Sequence, residues 1–599
     1  MIGRARGCQL LPLSRLRRPS RREFLLHNQF PREAGRQDTH GGYRITLMLT
    51  QGSAAVLLCM TLLGAGIAFQ SAETPIRAPA SDPPGSEACA SCHAEIYKSY
   101  SKTAMATASG AASDGLTIGD FDHKESGVHY RVYEKDAKVW MSYERPGKNA
   151  LRGQRELLYF IGSGKKGRTY LFSDQGFLFE APINWYSQEK RWNMTPAYTE
   201  ASEIPMNLPA YVDCLNCHSS GMQTPVAGTD SKFAGKPWLH GGITCERCHG
   251  MNVNHSEAKG AIVNPARLSP DRRDAICMEC HFEGTVAVEQ PGKHLYQFQP
   301  GDHLSDYIHY FVLTGTRVRT PRALSQFEAL SQSTCKRQSG EKMWCGSCHD
   351  PHSEPAPEEK AAYYRAKCLA CHGETFAAKH HADKPDCTRC HMPALPSKDV
   401  EHTETTDHRI LRYPNEAPLP QLQVRGKPLT SFPAGDDSLA TTRDFALAWE
   451  TLAQRGFEGA PLEAENYLRS AVKERPDDPV LLSALGFVEQ AHKHDSEAKD
   501  LYEHALKIDP LSIDAATNLG ILEARSGNLQ RAVDLWRGAF ERVPNRSAIG
   551  VDLGIVFCVA GKQEVARKFV ERVLEFNPDN GKAKSFLEHL GQDPPQCKP

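Results

Sequence analysis

The pentapeptide Cys345-Gly346-Ser347-Cys348-His349 has the form C-x-x-C-H, and that form occurs seven times in 599 residues. The other copies are Cys89, Cys92 and His93; Cys214, Cys217 and His218; Cys245, Cys248 and His249; Cys277, Cys280 and His281; Cys368, Cys371 and His372; and Cys387, Cys390 and His391. Two thiols at this spacing, with a histidine directly behind, suit one chemistry. The thiols form thioethers to the two vinyl groups of one haem, and the histidine is held under the iron as its axial ligand. Paired C-x-x-C motifs can also hold structural zinc. Zinc, however, has no need of a histidine after every second cysteine. The set therefore implies seven covalently bound haem c groups, each with its own proximal histidine.

This reading reorders the rest of the composition. Of 19 cysteines, fourteen are consumed by the motifs, which leaves Cys8, Cys59, Cys335, Cys558 and Cys597. Disulfide arithmetic does not apply to such a set. A pairing of Cys558 with Cys597 stays open. Net charge is −1, so no global field argues for nucleic acid.

Residues 1–47 hold ten arginines, no lysine and three acidic residues. The uncharged run 45–72 reads as the apolar region of an export signal. It is also long enough to span a bilayer if it is retained as an anchor. A linker follows at 73–88, then a haem region at 89–410. Between motifs one and two, about 120–190, alternating residues predict a small antiparallel β subdomain. Val128, Tyr130 and Val132 face Val139, Met141 and Tyr143 across a turn at 134–137, and further strands are expected at 158–161, 169–172 and 177–180. The stretch 162–169 falls one residue short of a phosphate-binding loop and reads as a hairpin turn.

Residues 411–440 are proline-rich and read as a linker. Beyond them Pro476, Pro510, Pro544 and Pro578 recur every 34 residues, in step with Gly486, Gly520 and Gly554 and with Ala464, Ala498, Ala532 and Ala566. A 34-residue period with these small residues is the tetratricopeptide signature. Repeats are expected over 441–592, ending in a capping helix near 581–590, with a tail at 593–599. The fold class expected is mainly α, with an irregular haem-organised core, the inserted β subdomain and a C-terminal α-solenoid.

The sixth position of each iron decides function. His255 and His352 closely follow motif histidines, and such offsets can place a ring on a neighbouring iron. His303, His408 and one of the adjacent pair His380 and His381 are further candidates, with His123 and His402 weaker. His129, His240 and His294 read as solvated or structural. Met105 is the non-histidine candidate, since a methionine ligand raises the potential of a haem.

Several stretches also resemble a known family. They are C-x-x-C-H-A-E-I-Y-x-x-Y-x-x-T-A-M at 89–105, C-E-R-C-H-G with His255, C-G-S-C-H-D-P-H at 345–352, C-T-R-C-H-M-P at 387–393 and T-D-H-R-I at 406–410. Residues 89–408 resemble the multihaem cytochrome c superfamily that includes the tetrahaem cytochrome partnering hydroxylamine oxidoreductase. Residues 445–580 resemble tetratricopeptide repeats. The resemblance implies periplasmic electron transfer in a bacterium. It also implies a ligand at the end of the first motif's helix, which maps onto Met105.

The expectation is an exported electron carrier with no catalytic residues. Its partners would be redox proteins, plus a protein docked on the repeats, since solenoids present protein-binding surfaces. The alternative is a multihaem oxidoreductase acting on a small nitrogen or sulfur compound at a five-coordinate haem.

Overall fold

The computed structural model describes residues 84–599, apart from 148, 196–197, 251–261, 315–324, 382–383, 385, 395–405, 414–427 and 434–436. The expected export segment or anchor lies outside these residues. Among the described residues no helix is long and apolar enough to cross a membrane.

Alternation of side chains builds the largest sheet. Its strands are β1 (Ser109–Ala111), β2 (Gly119–His123), β3 (Val128–Lys135), β4 (Lys138–Arg145), β5 (Leu151–Ile161), β6 (Gly167–Asp174), β7 (Phe177–Tyr186) and β8 (Arg191–Met194). They are antiparallel in the order β2-β3-β4-β5-β6-β7-β8, with β1 also paired to β5. Tyr130 sits opposite Tyr143 and Val132 opposite Met141, all buried. Gln175 and Gly176 take positive φ of 53° and 84° to turn β6 into β7, a two-residue hairpin that needs left-handed backbone at both positions. Residues 162–166 link β5 to β6 as a hairpin loop, while 167–169 of the predicted turn already belong to β6.

The expectation of a small subdomain needs correction: the sheet has eight strands and runs from Ser109 to Met194. The strands that sequence reading passed over are half exposed. Strand β2 alternates toward solvent, and the first half of β5 reads Leu-Arg-Gly-Gln-Arg. Polar outward faces hid their apolar partners.

The haem region adds two smaller sheets. Strands β9 (Ser219–Met222) and β10 (Trp238–Gly241) pair after motif two. Strands β11 (Val286–Glu289), β12 (Ile308–Leu313) and β13 (Leu429–Ser431) form the other. Strand β13 corrects the reading of 411–440 as a linker throughout. Leu429, Thr430 and Ser431 are buried because they pair with β12. The first motif's helix also ends earlier than expected, at Tyr100 rather than near Met105.

The C-terminal helices come in pairs: Thr442–Gln454 with Ala460–Glu474, Pro479–Ala491 with Asp495–Ile508, Ile513–Arg525 with Leu529–Arg542, and Ser547–Val559 with Gln563–Phe576. The helix Gly581–Leu590 caps the array. The in-register small residues lie where the helices touch. A Cβ at Gly486 would fall 2.8 Å from the Tyr502 ring, and one at Gly554 would fall 2.7 Å from Phe586. Ala464, Ala498, Ala532 and Ala566 are buried.

The two ends of this array pack on the haem region. At the first repeat Trp449 and Leu452 join the core formed with Val286, Phe311 and Leu429. There Asp444 accepts from Gln290 Nε2 at 3.1 Å and pairs with His309 Nδ1 at 2.9 Å. At the last repeat Phe576 enters the core of the large sheet, and Asp579 pairs with Arg145 of β4.

Candidate functional site

One turn of helix explains the local shape of a motif. In the first, third, fifth and seventh motifs the histidine N–H donates to the carbonyl of the first cysteine, at 2.9–3.0 Å (His93 to Cys89, His249 to Cys245, His349 to Cys345, His391 to Cys387). Residues three and four apart share one face of a helix. Both thiols and the imidazole therefore leave the backbone on one side.

The motifs touch across long sequence distances. The Cys89 thiol lies against Cys245, Cys217 against Cys280, Cys277 against Cys345, and Cys368 against Cys387. Cys248 lies near Cys280, and Cys348 near Cys371. Read as motif numbers, the neighbours are one and three, three and four, four and five, five and six, and six and seven, with two branching from four. Motif four is the hub.

Three histidines proposed from sequence face motif histidines. His352 faces His249 with ring centroids 6.0 Å apart and planes 14° apart. His408 faces His349 at 6.2 Å and 26°. His380 faces His391 at 6.2 Å and 27°. A metal between two imidazoles separates their centroids by about 6 Å, twice the sum of a metal–nitrogen bond of about 2 Å and about 1 Å from nitrogen to ring centre. The Nδ1 atoms point elsewhere. His249 Nδ1 meets Val263 O at 2.8 Å, His391 Nδ1 meets Leu411 O at 2.6 Å and His408 Nδ1 meets Thr406 O at 3.0 Å. Such outer hydrogen bonds set the tautomer and leave Nε2 as the ligand atom. The donor set and its spacing fit haem c with two axial imidazoles.

Other candidates are placed differently. His303 is half exposed. Its Nδ1 is 2.8 Å from Asp271, and its Nε2 meets Arg272 Nη2 at 3.0 Å. Both ring nitrogens are engaged with these neighbours. Met105 lies in the turns after the helix Ala94–Tyr100, where its carbonyl accepts from Ile243 N at 2.9 Å. His255 and His402 lie outside the described residues. His123 is a buried structural residue bonded to Ser126 Oγ at 2.8 Å and Thr199 O at 3.0 Å. His129 and His294 pair with Asp122 and Glu289. Cys558 and Cys597 form a disulfide.

Sequence reading passed over the variable positions inside the motifs. Glu246 accepts from Gly85 N at 2.6 Å and so ties the approach to motif one onto motif three. Arg247 of motif three pairs with Glu279 of motif four. Burial pushes the Glu279 carboxyl well up, and the Arg247 guanidinium against it offsets part of that rise. The signal was available: opposite charges sit at the same offset in consecutive motifs.

Comparisons with known proteins find likenesses in parts of the chain. The family model for cytochrome c554 and c-prime matches residues 184–250, and that for the doubled CXXCH motif matches 338–377. The interferon-induced protein with tetratricopeptide repeats 2 of Mus musculus is 26% identical over 130 residues, which is 21% of this chain and 27% of that protein. The chain thus spans about a quarter of that relative's length. Among solved structures, MamA is 17% identical, covers 23% of this chain and 79% of its own, and has a TM-score of 0.21. A tetratricopeptide repeat protein from Parabacteroides merdae is 18% identical, covers 24% and 56%, and has a TM-score of 0.22. Two stretches of the haem region thus match family models of multihaem c-type cytochromes, and the C-terminal helices are similar to tetratricopeptide repeats.

Proposed function

We propose that this protein is an exported heptahaem c-type cytochrome that relays single electrons between redox partner proteins on the outer side of a bacterial cytoplasmic membrane. The observation that carries the reading is the set of three imidazole pairs. Each joins a motif histidine to a histidine from another part of the chain, at the separation two axial ligands require. Each haem, once attached, supplies an iron that exchanges one electron.

The chain's own work is placement. The motifs are stapled to one another in the order one, three, four, five, six, seven, with two as a branch. With haem attached, His352, His408 and His380 would hold the irons together with His249, His349 and His391, which would favour electron exchange over substrate binding there. Motifs one and seven end this series, with motif two at the end of the branch, and donor and acceptor proteins would dock near those termini. The repeats hold the haem region at both ends of their array, and their remaining surface would take a protein partner.

The test is haem quantification with low-temperature electron paramagnetic resonance on the oxidised holoprotein. Seven haems per chain are expected, with low-spin signals from the three paired sites. His352→Ala, His408→Ala and His380→Ala should each convert one low-spin haem to high-spin. Unchanged spectra in all three variants would refute the ligand assignment. A stoichiometric high-spin haem in the unmodified protein, perturbed by nitrite or hydroxylamine, would favour an oxidoreductase instead.

A further inference from the structure

Motifs two, three and four come from separate stretches of chain, yet their second variable residues meet at one buried point. These residues are Asn216, Arg247 and Glu279. Asn216 is buried, and the Arg247 and Glu279 side chains are 14% and 2% exposed. The Arg247 guanidinium contacts Glu279 Oε1 and donates to Asn216 O at 3.3 Å. The Glu279 carbonyl faces the Cys217 sulfur at 3.8 Å, and Cys217 lies against Cys280. The ion pair therefore sits among the attachment cysteines of three motifs, at the branch point of the series.

A buried ion pair is poor at adding stability, because desolvating two charges cancels much of their attraction. Two apolar side chains would serve packing as well. What an ion pair does that an apolar pair cannot is set a local charge balance in a medium of low dielectric, where charges act strongly on their neighbours. Here the balance lies beside three haem attachment sites.

We propose that Arg247 and Glu279 form a positioning and potential-setting pair for the haems of motifs two, three and four. The backbone contact to Asn216 locks the three motifs together. Each charge offsets the field of the other at the adjacent irons, so that loss of either one would shift their potentials. The inference rests on the haem reading above.

The test is a spectroelectrochemical titration of holoprotein variants, with haem content measured on each. Glu279→Gln leaves the guanidinium uncompensated and should raise the midpoint potentials of a subset of haems, because a positive charge favours the reduced iron. Arg247→Gln leaves the carboxylate and should lower them. The double variant Arg247→Gln with Glu279→Gln should return the potentials toward those of the unmodified protein. A purely packing role predicts shifts of the same sign in both single variants, or none, with no recovery in the double variant, and that result would overturn the proposal. Should a single variant fail to take up its haems, the neutral pair Arg247→Met with Glu279→Leu decides. Restored haem content supports charge compensation, and continued loss refutes it. A haem content below seven in the unmodified protein would instead count against the haem reading itself.

Discussion

Replacing Phe576 by alanine should uncouple the last repeat from the large sheet. Phe576 ends the helix Gln563–Phe576, yet it is only 2% exposed because its ring lies in the sheet's core. It meets Phe177 edge-on at 5.8 Å and 87°, and Phe179 at 5.9 Å and 60°. Truncating a fully buried phenylalanine removes its transfer free energy and leaves a cavity, together about 3–5 kcal/mol. That is a large part of the roughly 5–15 kcal/mol that holds a typical domain. The contact joins two regions, so the loss should fall on both. For a unit of this size it corresponds to a fall in melting temperature of roughly 6–20 °C. Hydrogen exchange read by mass spectrometry resolves the two sides. Amides of β6 and β7 and of the helix Gln563–Phe576 should lose protection together, while those near Thr442–Gln454 keep theirs. Leu462→Ala, at a site 65% exposed on the repeats, serves as the control. If the sheet keeps full protection while only the last repeat loosens, the two are not one cooperative unit and the reasoning fails.

Two further outcomes test the other contacts. Burial alone would raise the Asp444 carboxyl, but His309 and the Thr441 N–H and hydroxyl hold it down at about 2. An ordinary aspartate titrates near about 3.9, so the depressed value contributes about 2–3 kcal/mol. That contribution is fully present above about pH 4 and is lost as pH falls through the folded value. Denaturant unfolding followed from pH 6 to pH 2 should show this acid limb, and Asp444→Asn should flatten it. In the third repeat a Cβ at Gly520 would collide with the Trp536 indole, whose Nε1 donates to Thr517 O at 3.0 Å. Gly520→Val should therefore cost about 1–3 kcal/mol by overpacking, seen as a lower melting temperature by far-ultraviolet circular dichroism. An unchanged melt would mean that the helix pair can open at no cost.

What could be read in the sequence was what short range decides. A C-x-x-C-H motif completes its chemistry within one helical turn, so its seven copies were legible residue by residue. The repeats were legible because each helix pair imposes the same packing on the same positions, which put Gly486, Gly520 and Gly554 in register. Strands β3 and β4 were legible from strict alternation, whereas β2 and the first half of β5 were not, because their outward faces are polar.

The candidate axial histidines were legible only in part. His352, His408 and His380 could be suspected from their offsets, but which motif histidine each would face could not. His352 follows motif five in sequence yet faces motif three, and His303 lies beside Asp271 and Arg272. The pairing of Arg247 with Glu279, the entry of Phe576 into a distant sheet and the capture of Leu429–Ser431 by β12 are of the same kind. The sequence by itself determined the covalent and periodic parts of this protein, because those depend on neighbours a few residues away. Only the tertiary structure decided which motifs adjoin and which histidines face each other, because those contacts depend on chain segments meeting across long stretches of sequence.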